Sequence, residues 1–123
     1  MEVVLVVGLG GAAGAILRWQ VGVFMSHLLA PAFWATLTVN LVGSFLVGLL
    51  LMWFQEKLHI SDVLRTGILV GLLGGFTTYS AFSMEAVNMM MAGSYGRASA
   101  YVAGTVTVCL MGTWVGVILG RSV

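Results

Sequence analysis

Charge is what this sequence lacks most. Five Lys or Arg and four Asp or Glu make up 7% of 123 residues, where a soluble domain carries about 25%. A water-facing surface cannot be assembled from so few charges. The net charge is +1 and no Lys/Arg cluster occurs, so there is no basic face for nucleic acid. Paired carboxylates, a nucleophile–base pair and a metal-ligand cluster are all missing, and the chain is not expected to be an enzyme. The one cysteine, Cys109, has no partner for an internal disulfide and no ligand set around it. A single proline excludes proline-rich disorder. Between Glu2 and Glu56 there is no Asp or Glu. The stretch Gly8-x-Gly10-x-x-Ala13 imitates a dinucleotide fingerprint but lacks the acid that motif needs about 20 residues later.

What is present is apolar: 60% of residues are hydrophobic and the mean hydropathy is +1.09. Residues 3–26 hold one charge, Arg18; residues 33–54 hold none; residues 66–92 hold one, Glu85; residues 98–119 hold none. Each run exceeds the ~20 residues a helix needs to cross the hydrocarbon core. The gaps carry loop chemistry: His27 to Pro31, Gln55 to Asp62 and Gly93 to Arg97. His27 and His59 read as solvated loop residues, and Met89–Met91 as lipid-facing or packing filler. Trp34, Trp53 and Trp114 lie towards span ends, as in an interfacial aromatic belt. Alternating ~10-residue segments, the mark of a membrane barrel, are absent. The first run ends in no clear cleavage site and begins with Glu2 instead of Lys or Arg, so it reads as a retained helix. The expectation is an all-α membrane protein of four transmembrane helices, one domain over 1–123, multi-pass in the cell (inner) membrane.

With four spans, Lys57, Arg65 and Arg121 fall on one side, and Arg97 on the other, joined by Arg18 if it reaches that interface. This positive-inside bias is feeble and is compatible with insertion in both directions. A 13 kDa bundle also has too few faces to pack its glycine stripes and shelter Arg18, Asn40 and Glu85. An antiparallel, dual-topology homodimer is expected.

Small residues recur every four positions: Gly10, Gly14 and Gly22 with Arg18; Thr36, Ser44 and Gly48 with Asn40; Gly67, Gly71 and Gly75; Gly112, Gly116 and Gly120. Such stripes let helix backbones approach closely in lipid. Asn40 is costly against hydrocarbon and should face protein or water. The sharpest anomaly is Gly74-Gly75-Phe76-Thr77-Thr78-Tyr79-Ser80-Ala81-Phe82-Ser83, poor helix material with five hydroxyl groups. A third helix broken here frees backbone groups at mid-membrane depth, tolerated only where they bind something or line a cavity. The competing reading is a kinked helix with Ser and Thr bonded back to their own carbonyls. Past the glycines, Phe76, Tyr79, Phe82 and Glu85 recur every three residues.

Three motifs in order, Gly10-Gly11-x-x-Gly14-Ala15-x-x-Arg18-Trp19, Thr36-Leu37-x-Val39-Asn40-x-x-Gly43-Ser44-Phe45 and Gly74-Gly75-x-Thr77-Thr78-Tyr79-Ser80-x-Phe82-Ser83, resemble the Fluc (CrcB) fluoride channels. The resemblance covers nearly the whole chain. It implies an antiparallel homodimer with two fluoride pores and a central structural sodium ion, exporting cytoplasmic fluoride passively and conferring fluoride resistance. Carried over by motif, Asn40 donates its amide to fluoride and Tyr79 and Phe82 are the pore aromatics. Ser80 and Thr113 belong to a hydroxyl track, Glu85 to the pore mouth and Arg18 to the vestibule. Gly74 and Thr77 supply main-chain carbonyls to sodium. The family usually has phenylalanine at Tyr79 and commonly tyrosine at Trp19. The partners implied are fluoride, sodium, lipid and a second copy.

Elementary chemistry is compatible with such a pore. Fluoride holds water tightly, so a pathway must offer donors such as amides and hydroxyls, with aromatic edges keeping water sparse. Sites must also be weak enough to leave, and no lysine lies within any span. The alternative class is a small multidrug-type four-helix cation exporter, which places a carboxylate where the first span here has Arg18.

Overall fold

The computed structural model describes residues 1–29 and 31–122. Ala30, in the expected first loop, and Val123 lie outside the described residues. Among those described, the chain is helical, with no strand. Helix α1 runs Glu2–Leu28, α2 Phe33–Glu56, α3 Asp62–Thr66, α4 Leu73–Phe76, α5 Tyr79–Met91 and α6 Tyr95–Ser122; a π-helical stretch, Gly67–Leu72, joins α3 to α4. Four stretches are long and apolar enough to cross a membrane: α1, α2, the third span Asp62–Met91, and α6. The helices extend beyond the apolar runs, so Glu56 and Arg97 lie inside helix ends.

The ends follow local chemistry. The Ser61 hydroxyl caps α3 by accepting the Leu64 N–H at 3.3 Å, with Asp62 in the first turn. Between α5 and α6, Gly93 takes φ +74, a left-handed value that favours glycine, while its N–H returns to the Met90 carbonyl. That sharp reversal sends α6 back alongside α2 and α5.

Two glycine seams hold the helices together. In the first, α1 lies against the π-helical stretch and α4. A Cβ at Gly14 would fall on the Leu72 carbonyl oxygen and the Phe76 nitrogen, and one at Gly75 on the Gly11 carbonyl oxygen. In the second, α2 lies along α6: a Cβ at Gly48 would meet the Thr113 carbonyl, and one at Gly116 the Phe45 carbonyl. The expected stripes at Gly10/Gly14, Gly67/Gly71/Gly75 and Gly112/Gly116/Gly120 all sit in these seams. Gly22 does not; among the described residues no neighbouring helix comes within 4 Å of an added Cβ there. Few large side chains are buried, among them Val39, Phe54, Leu73, Phe82 and Tyr101, and Leu5, Leu9, Trp19, Leu110 and Trp114 are exposed. An apolar exterior of this kind matches lipid as solvent, where backbone fit takes over the role of hydrophobic burial.

Candidate functional site

Helix α4 stops at Phe76 because the next two residues are extended: Thr77 at φ −83, ψ 160 and Thr78 at φ −149, ψ 114. Of their four main-chain polar groups, three find partners on other helices and the Thr77 N–H keeps its own helical acceptor. The Thr77 N–H and hydroxyl both donate to the Leu73 carbonyl, each at 3.0 Å. The Thr77 carbonyl accepts from Arg18 Nη1 of α1 at 3.1 Å. From α2, Asn40 pairs with Thr78 twice: Nδ2 donates to the Thr78 carbonyl at 2.9 Å, and Oδ1 accepts the Thr78 N–H at 2.7 Å. Helix α5 then restarts with the Thr78 hydroxyl as its cap, accepting the Ala81 N–H at 3.2 Å. Hydroxyls bonded back to the helix and long-range partners thus occur together: Ser83 also donates to the Tyr79 carbonyl, four residues before it.

Two cavities flank the extended pair. A groove of about 450 Å³ is lined by Asn40, Gly74, Tyr79, Phe82, Thr105 and Thr113, among others. A second, of about 490 Å³, is lined by Arg18, Thr36, Thr78 and Ser80. Asn40, Tyr79, Phe82 and Thr113 therefore share one cavity, while Arg18 and Ser80 share the other. Tyr79 is 80% exposed and its ring lies 5.5 Å from that of Phe82; Phe82 is 7% exposed and packs 5.3 Å from Tyr101. Glu85, one turn past Phe82, accepts from the Thr36 hydroxyl at 2.7 Å and from the Tyr101 hydroxyl at 2.6 Å. Both donors hold the carboxylate away from lipid, where an unpaired charge is expensive.

Three residues join the site that sequence reasoning did not single out for it: Thr36, Tyr101 and Thr105. Thr105 is 6% exposed, and its hydroxyl has no hydrogen-bond partner among the described residues. The spacing of Tyr101, Thr105, Cys109 and Thr113 at intervals of four carried the signal, since it places polar groups on one face of α6.

A metal here would meet neutral oxygens. Among the described residues no group of three His, Cys, Asp or Glu is assembled. In a continuous helix the Gly74 carbonyl would receive the Thr78 N–H, but that donor goes to Asn40. Gly74 is exposed and lines the groove. The Thr77 carbonyl, with two lone pairs, gives one to Arg18.

The family model for CrcB-like protein, Camphor Resistance (CrcB), matches residues 5–117. The chain belongs to the CrcB family. Relatives in this family include the fluoride-specific ion channel FluC of Agrobacterium fabrum, 40% identical over 97% of this chain and 96% of that protein. The protein of the same name from Magnetococcus marinus is 41% identical over 95% and 96% of the two chains. That of Geobacter sulfurreducens is 37% identical over 99% of each. The CrcB match spans all four membrane-crossing stretches, and the chain is a multi-pass membrane protein.

Proposed function

We propose that this chain is a fluoride-selective channel of the bacterial cell membrane that lets cytoplasmic fluoride leave passively and so lowers its toxicity. It is a channel and not an enzyme. The observation that carries this is end-to-end identity of about 40% to relatives named as fluoride-specific channels. The site chemistry supports it. The groove combines one amide, several hydroxyls and two aromatic rings, and such neutral donors replace fluoride's water without trapping the ion. Asn40 retains one Nδ2 hydrogen beyond its bond to Thr78, which is available to an anion. In this reading Phe82 and Tyr79 turn ring edges to the ion. The path joins the two cavities at Thr78, which lines both: Thr113 relays the ion in the groove and Ser80 in the second cavity. Glu85 stands at the pore mouth, and Arg18 attracts the ion into the vestibule. A cation exporter is disfavoured, because Arg18 sits where that class needs a carboxylate and Glu85 is tied to two hydroxyls.

The working unit in this proposal is an antiparallel homodimer with the third span interrupted at mid-membrane depth. A groove lined by Asn40 and threonines needs cover in lipid, and a second inverted copy supplies it. A structural sodium ion between the copies would be held by the Gly74 and Thr77 carbonyls of both chains. Four neutral oxygens suit a hard monovalent cation better than a divalent one, which gathers carboxylates. When bound, sodium would supply positive charge near the pores.

Liposomes containing only the purified chain test the function. Fluoride efflux with little chloride efflux is expected; vesicles that retain fluoride would refute the proposal. Tag labelling in cells should find each terminus on both sides of the membrane, and a one-sided result counts against dual topology.

A further inference from the structure

The third span does not open by itself. Of the three main-chain groups at Thr77 and Thr78 that accept or donate outside their own span, one is held by Arg18 and two by Asn40. These residues come from different helices, α1 and α2. Glycine and threonine weaken the helix locally, but helix re-formation through 77–78 would still be favoured in lipid, where an unbonded peptide group is costly. A partner outside the span must therefore outbid the helical bond. We infer that Asn40 and Arg18 are positioning residues that hold Thr77 and Thr78 extended from two sides.

The Asn40 carboxamide does this with high specificity. Its paired donor and acceptor match the N–H and C=O of one extended residue, as a neighbouring strand would. No helical conformation of Thr78 presents both groups to one side chain. Arg18 adds a charge-assisted bond to the preceding carbonyl, stronger than one between neutral groups. The geometry gives Asn40 two tasks at once: one amide hydrogen and the oxygen fasten the backbone, and the second hydrogen is left over on a residue that lines the groove. The inference goes beyond anion contact and holds whichever ion passes.

Solution NMR of the full-length protein in fluoride-free micelles tests it, reading hydrogen exchange at the Thr78 amide and the carbonyl carbon shift of Thr77. In Asn40→Ala, Thr78 exchange should rise at least roughly tenfold, equal to ~1.4 kcal/mol, while Val39 and Leu73 amides stay protected. General destabilisation would raise all three together. In Arg18→Met the Thr77 carbonyl shift should move, and Arg18→Lys should restore it. Should Asn40→Ala not fold, Asn40→Asp keeps an acceptor for the Thr78 N–H but sets an oxygen against its carbonyl. Thr78 protection should then persist while its own carbonyl shift changes. Wild-type exchange at Thr78 in Asn40→Ala, unchanged shifts in Arg18→Met and Asn40→Asp, or a uniform rise across the core would each overturn the inference. Because no fluoride is present, failure here is distinct from failure of the efflux test.

Discussion

The third span has two halves that are held in opposite ways. From Gly67 to Gly75 it lies against α1 backbone to backbone, with glycine removing the side chains that would keep the helices apart. Two residues later it depends on side chains of other helices, Arg18 and Asn40, for its main-chain bonds. The first half needs shape and no polar partner beyond its own turns. The second needs polar partners and is left open to two cavities. Packing is therefore the task of the glycine seam, and in the proposed channel ion chemistry falls to the extended pair. Substitutions in the two halves should separate stability from flux.

The largest effect should come from the seam. Gly14→Val sets a branched side chain against the Leu72 carbonyl and the Phe76 nitrogen, where even a Cβ falls on backbone; the cost should exceed the ~1–3 kcal/mol of ordinary overpacking and prevent folding outright, seen as loss of folded protein. Phe82→Ala blurs the division, because the ring is buried against Tyr101 and also lines the groove. It should lower stability by up to ~3–5 kcal/mol as a core cavity, and also reduce fluoride flux per folded protein. A stability loss with unchanged flux per folded protein would make Phe82 core alone. Tyr79→Phe should change flux by no more than roughly twofold, since the ring edge remains. Smallest of all, Gly8→Ala on the open face of α1 should raise the melting temperature slightly, by about 0.5–1 kcal/mol of helix propensity.

The same contrast explains what could be read in advance. Span positions and the glycine stripes were legible because lipid makes apolar length and small-residue spacing nearly sufficient signals. Thr77 and Thr78 lie inside the helix-poor run Gly74–Ser83, and Asn40 stood out as a lone amide in an apolar span. Their pairing was not legible, since it depends on the register of α2 against the third span. The purpose of Thr36 and Tyr101 was not legible for the same reason: their four-residue spacings place hydroxyls on one helix face but do not reveal a carboxylate partner until Glu85 is placed beside them. The π-helical stretch Gly67–Leu72 left no trace in the pattern either, because glycine there serves close approach and a widened turn alike.

The most direct test of the division between seam and extended pair is fluoride efflux per folded protein, measured on wild type and Asn40→Ala reconstituted in parallel. Wild-type vesicles should empty of fluoride. Asn40→Ala vesicles, holding folded protein by melting curve, should empty at least roughly tenfold more slowly, equal to ~1.4 kcal/mol of lost interaction along the path. Equal efflux from the two folded proteins would contradict it.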